Sequence, residues 1–161
     1  MPAKRSKKPE PPEPEAPPEA AFRIWSRFVI CHRDFHPDLA ALYSKKAHIE
    51  QVGRLEGTDK VVIRLRLDPH QWRKLMPKLM EEAKAKGDRS SFSDWTFEEV
   101  PEGITVTATR FSELNRYSVP HRLVVGKAED GEWLIIEETM NVVKKLGPQR
   151  DATDRRLPQS E

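Results

Sequence analysis

The sequence predicts an α+β fold, with helices early and antiparallel strands late. Three observations carry this. Apolar residues recur at helical spacing in Phe22–His32 and again in Trp72–Met80. They alternate at period two in Val61–Leu67 and Ile104–Arg110. Turn and cap signals separate these runs, clearest in Asp68-Pro69, Gly87 and Asp130-Gly131.

The first helix is expected to span about 12 residues, with Phe22, Trp25, Phe28, Val29 and Cys31–His32 on its apolar stripe. "DFHPDLAALYSKKA" predicts a short second helix. His36 or Asp34 caps it, Pro37 opens it, Asp38 complements its dipole, and Leu39, Leu42 and Tyr43 lie on it. "HIEQVGRLEGTDKVVIRLRL" reads as two strands around a Gly-Thr-Asp turn, with Arg64 and Arg66 facing away from Val61, Ile63, Leu65 and Leu67. A third helix runs from an Asp68 cap to a Gly87 stop, with Pro77 costing it one hydrogen bond. Strands follow at about Ser93–Val100, Ile104–Leu114, Arg122–Lys127 and Trp133–Val143.

Both ends are poor in core residues. Residues 1–21 are rich in Pro, Glu, Lys and Ala and predict a disordered lead; residues 147–161 predict a disordered tail. Residues 22–146 form one domain, with enough chain for a single modest core. The net charge of +2, from 28 basic and 26 acidic side chains, argues against a nucleic-acid surface. Lys4–Lys8 reads as a solvated basic run. A lone Cys31 makes neither a disulfide framework nor a cysteine zinc site. No apolar run reaches the length of a transmembrane helix, and no signal peptide is visible, so the expected compartment is the cytoplasm. A periplasmic or secreted protein whose leader has been removed fits the same lead.

"FHPDLAALYSKKAHIE" resembles the segment of NTF2-like (SnoaL-like) proteins in which a "D-P-x-x-L-x-x-L-Y-x-x-x-A" helix leads into the first strand. "ITVTATRF" and "HRLVVGKAEDGEWLIIEE" resemble their closing strands, the last after a Gly turn. The resemblance covers roughly Phe22 to Val143. It implies a cone: a curved antiparallel sheet with about three helices on its concave face, often a homodimer through the sheet, as in bacterial members. That superfamily includes isomerases, dehydratases, cyclases and non-catalytic binders, so the fold leaves function open. Aligned with ketosteroid isomerase, the position of its general base falls at Gln51, and an amide abstracts no proton from carbon. The helix that carries its tyrosine has Trp25 to Phe28 and no Tyr. The dehydratase relatives use an Asp-His pair; His121 has no acid at a matching position.

The candidate ligand-pocket residues are Tyr43, Arg110, Trp25, Trp95, His121 and Glu138, with His121 and Glu138 the weak catalytic candidates. Strict alternation sends Glu137 and Glu138 to opposite faces, Glu138 with Leu134 and Ile136. A buried glutamate needs a partner, for which Arg110 or Arg64 is available. Arg110 ends the alternation Ile104, Val106, Ala108 and suits bidentate grip of a carboxylate. His121 opens a strand and suits acid–base work, and Tyr43 turns a hydroxyl toward the cone. Trp25 or Trp95 lines an apolar wall. His32 and His36 are four apart, but Pro37 interrupts the helix and no third ligand follows, so no metal is expected. "HPD" at His36–Asp38 matches the J-domain tripeptide, yet strands follow it directly. No phosphate loop or nucleophile elbow occurs, and no cofactor is expected. The reading is a non-catalytic cone that binds a small hydrophobic or amphipathic ligand, or a dimerising module. The alternatives are a cofactor-independent isomerase, dehydratase or hydrolase acting on a hydrophobic ring, and an adaptor tethered by its Pro-rich lead.

Overall fold

The computed structural model describes residues 14–145, so most of the lead and the whole expected tail lie outside the described residues. Helix α1 (Pro17–Asp34) begins earlier than expected. Pro occupies its first turn, and Ala20 and Ala21 are fully buried, so these small residues belong to the core rather than to a lead. The helix ends where Phe35 turns left-handed at φ 52°. His36 therefore does not share a helix with His32.

The expected second helix is a 3₁₀ segment, Pro37–Leu42. His36 Nδ1 caps it by accepting from the Asp38 amide at 3.0 Å. Tyr43 is not on it: it opens strand β1 (Tyr43–Leu55). Strand β2 (Val61–Leu67) pairs antiparallel with β1. Helix α2 (Pro69–Lys86) has the expected ends: Asp68 accepts from the Gln71 amide at 2.9 Å, and left-handed Gly87 closes it. It buries Met76 and Met80, and leaves Leu75 exposed.

Four strands complete the sheet: β3 (Ser90–Val100), β4 (Gly103–Ser112), β5 (Tyr117–Lys127) and β6 (Trp133–Lys144). Strand β5 starts at Tyr117, ahead of the expected Arg122, and so runs through Pro120. The residue is tolerated because it lies beyond the β6 ladder, which begins at His121↔Met140; its carbonyl is taken by Asn141 Nδ2 at 2.8 Å. Gly103 permits the β3–β4 turn: a Cβ there would meet the Val125 carbonyl oxygen at 2.0 Å.

The strand order is β2-β1-β6-β5-β4-β3. The sheet is mixed rather than wholly antiparallel, because β1 and β6 run parallel. The cone is thus an α+β fold, its curved sheet wrapped around α1, α2 and the 3₁₀ segment. Its core joins Ile24, Trp25 and Phe28 of α1 to Ile49, Ile104, Val106, Leu123, Val125 and Ile135 of the sheet. Burial of such side chains contributes about 1.5–3 kcal/mol each. No helix among the described residues is long and apolar enough to cross a membrane.

Candidate functional site

One buried carboxylate sits inside this core. Glu138 is 2% exposed, between Tyr43 at 1% and His121 at 4%. A β-bulge puts it there. Strand β6 pairs Glu137 with Val124 and Ile135 with Val125, so Ile136 is an extra residue. The bulge resets the alternation, and Glu138 faces inward with Ile135 instead of lying with Leu134 and Ile136. The register of β1 also shifts between Tyr43 and His48, which sets the Tyr43 ring over the same spot.

The partners of Glu138 are not arginines. Tyr43 donates to Oε1 at 2.5 Å, and His121 Nε2 lies 2.8 Å from Oε2. Arg64 pairs instead with Glu50 on the outer face. The Arg110 guanidinium reaches across β5 and donates to the Asn141 carbonyl oxygen at 2.8 Å and to Ser90 Oγ at 3.3 Å. It also stacks on the Tyr117 ring, 5.6 Å from its centre.

Glu138 accepts on both oxygens, which is what an ionised carboxylate requires when buried. Burial, then the negative charge of Glu138 and its hydrogen bond, push the Tyr43 phenol well above its ordinary pKa, so it keeps its proton. The Trp72 indole N–H opposes this shift, although it completes no hydrogen bond to the hydroxyl.

The far side of His121 is different. Its Nδ1 is buried and has no partner among the described residues. The ring stands 5.5 Å from Phe28 and 5.4 Å from Phe92. His32 joins the cluster at 4.5 Å from Phe28 and 5.3 Å from Phe92, and is the least buried of the four rings. Desolvation, with repulsion from His121 and Arg110, lowers the His32 pKa to about 3. His32 is thus a neutral imidazole at ordinary pH.

Tyr43, His121 and Glu138 come together as one chain. Arg110 lies on the same sheet face as His121, one strand over: Ala108 pairs with His121, and Arg110 with Val119. Trp25 stacks on Phe28 at 5.3 Å and walls the cluster. Trp95 stands apart, 45% exposed, and touches the cluster only through Trp25. Sequence reasoning missed His32 and Phe92. His32 was read as part of a helical stripe and weighed with His36 as a metal ligand, and its local signal for this cluster was its place one turn after Phe28. Among the described residues, no three His, Cys, Asp or Glu side chains gather in a metal-binding group.

A carboxylate that accepts from one imidazole nitrogen fixes ring orientation and tautomer, and leaves the other nitrogen to act. The arrangement can therefore move a proton at Nδ1. Tyr43 also lines a surface cleft of about 310 Å³ with Lys46, Arg73 and Glu129.

Comparison with known proteins bears on the fold. No family model matches the chain, and no curated protein does. Solved structures do. A putative dehydratase of the NTF2-like family from Streptomyces avermitilis superposes with a TM-score of 0.52 at 13% identity, covering 78% of this chain and 95% of that one. An NTF2-like protein of unknown function from Pseudomonas putida KT2440 gives 0.53 at 10% identity, covering 83% and 87%. At such identities the likeness concerns the fold, and the fold is the NTF2-like cone.

Proposed function

We propose that this NTF2-like cone is a small-molecule site whose working group is the imidazole of His121, held by Glu138 and Tyr43, and that it transfers protons on an apolar ring without a cofactor. The unpartnered Nδ1 of His121 carries this reading. A buried polar atom without a partner costs about 1–3 kcal/mol, and a ligand that supplies the partner removes that cost. Phe28 and Phe92 pack beside it, and Trp25 stacks on Phe28, which makes its surroundings apolar.

The chemistry follows from the geometry. Nδ1 uses its lone pair to take a proton from carbon, and the C–H electron pair stays on the ligand. Glu138 stabilises the imidazolium through Nε2–H. In a dehydration the electron pair forms C=C, the neighbouring C–O bond breaks, and Nδ1–H returns the proton to the departing oxygen as water. In an isomerisation the proton returns to another carbon. Gln51 takes no part in either route.

A binding-only cone is the second reading. It is favoured by the packing of Trp25, Phe28 and Phe92, which fill the concave face. The outer sheet face mixes signs, with Glu50 paired to Arg64 on neighbouring strands, and such a surface suits self-association about a two-fold axis. Sedimentation equilibrium against the 18.6 kDa chain mass tests the homodimer.

A thermal-shift screen of neutral and acidic one- and two-ring aromatics, with His121→Gln alongside, tests the site. A ligand at 100 times its Kd stabilises by about 2.7 kcal/mol. The expected result is a shift in the wild type that shrinks in His121→Gln. A ligand that shifts both proteins equally leaves His121 without a role. Turnover of a bound ring alcohol, lost in His121→Gln, separates the enzyme from the binder.

A further inference from the structure

A cleft of about 560 Å³ lies beside α1, away from His121. Arg23, Arg27 and Ile30 line it from one stripe of the helix, at spacings of four and three. Leu42 of the 3₁₀ segment and Trp133 and Leu134 of β6 supply an apolar wall. Ile30 is 46% exposed on this cleft. Arg27 is exposed too, and among the described residues no carboxylate lies within ion-pair distance of it. The two acids of the cleft sit at other cations: Asp38 lies 3.6 Å from His36 Nδ1, and Glu132 adds its charge at Arg23.

The chain itself leads to this cleft. Glu15, just ahead of α1, accepts from Arg23 on both oxygens, each at 2.9 Å, and is half-buried there. Pro17, the first residue of α1, borders a neighbouring cleft together with Trp133. The lead therefore meets the cone at the Arg23–Trp133 end of the larger cleft. Its preceding residues, Pro9–Glu13, are "PEPPE". Such a run favours the polyproline II helix, which is already extended and loses little entropy when it docks.

We propose that Pro9–Glu13 of this chain seats in the cleft as a strap antiparallel to α1, with Glu13 on Arg27 and the proline rings on the apolar wall. The spacing fits. Polyproline II rises about 3.1 Å per residue and an α-helix about 1.5 Å. Two residues of the lead and four of the helix therefore both cover about 6 Å. With Glu15 on Arg23, Glu13 comes level with Arg27. Three residues per turn put Glu10 and Glu13 on one edge of the strap and prolines on the other two. The acidic edge then faces the arginine stripe, and the prolines cover Ile30 and Trp133. The strap goes beyond the His121 reading and stands independently of it.

Paramagnetic broadening in the full chain tests this. A nitroxide is placed on Lys8→Cys, with Cys31→Ala removing the one native thiol. The expected result is broadening concentrated on the amides of Ile30, Asp38 and Leu42, and weakened by added salt. Arg27→Glu exchanges an attraction for a repulsion and should lower the docked-to-free ratio by about fivefold. Adding Glu13→Arg to Arg27→Glu restores the pair with its signs reversed and should restore the broadening. Glu13→Gln leaves the cone untouched and should weaken the broadening in the same direction, which guards against an Arg27→Glu variant that folds poorly. Broadening confined to the first turn of α1, or broadening that neither Glu13→Gln nor Arg27→Glu changes, overturns the proposal. So does broadening seen only when labelled chains are mixed with isotopically enriched unlabelled ones, which puts the lead of a second copy in the cleft.

Discussion

Replacing Tyr43 with Phe removes one oxygen and little else. The ring is fully buried and keeps its packing, but Glu138 Oε1 loses the donor at 2.5 Å. A hydrogen bond to a charged group is worth about 1.5–3 kcal/mol, and a carboxylate 2% exposed has no water to replace it. The expected loss is about 2 kcal/mol. For an ordered region of this size that lowers Tm by about 8 °C. Urea unfolding measures it as a fall in midpoint with an unchanged m-value. Glu138→Leu closes a double-mutant cycle, in which the tyrosine and glutamate should couple by more than about 1 kcal/mol. The substitution also changes the alkaline limb. Because the folded phenol holds its proton more tightly than the unfolded one, this stabilisation is complete below pH about 10 and is lost as pH rises toward the folded pKa. Tyr43→Phe should lack that loss. A cost below about 0.5 kcal/mol, or additive single variants, would refute the hydrogen-bonded chain.

The remaining expectations concern His32 and the α2 cap. His32 has a folded pKa of about 3, so the unfolded chain binds its proton first. Stability should therefore fall as pH drops from about 6.5 toward 3, by up to about 1.4 kcal/mol per pH unit from this residue alone. His32→Phe should flatten the acid limb by that difference, read from urea midpoints at a series of pH values. Asp68→Ala removes the acceptor of the Gln71 amide and should cost about 1 kcal/mol, with no effect on ligand binding.

Much of the architecture was legible in local signals. Asp68, Pro69 and Gly87 bracket α2 because caps and left-handed stops act within a few residues. The β1–β2 hairpin was readable from its turn for the same reason. The site was legible only as a list of residues. Tyr43 and Glu138 are 95 positions apart and meet because β1 and β6 pair in parallel, which no local pattern announces. The bulge at Ile136 was equally silent: "WLIIEE" contains no Gly or Pro to mark it, and alternation without it turns Glu138 the wrong way. That single phase error is why arginine was taken as the partner of Glu138. The 3₁₀ segment ends one residue sooner than a helical reading of "DLAALY", which is enough to move Tyr43 from a helix to a strand.

The parallel seam between β1 and β6 also governs the order of assembly during synthesis. Strand β1 leaves the ribosome early, and the edge that meets β6 has no partner until Lys144 has emerged. At translation speeds of about 5–20 residues per second, the 89 residues from Leu55 to Lys144 keep that edge open for some 4–18 seconds. A bare edge strand invites pairing with other chains, and Arg54, Lys45 and Lys46 along β1 are the kind of charged side chains that discourage it. The last strand to arrive brings Glu138, so the polar heart of the cone closes only when the nascent sheet does.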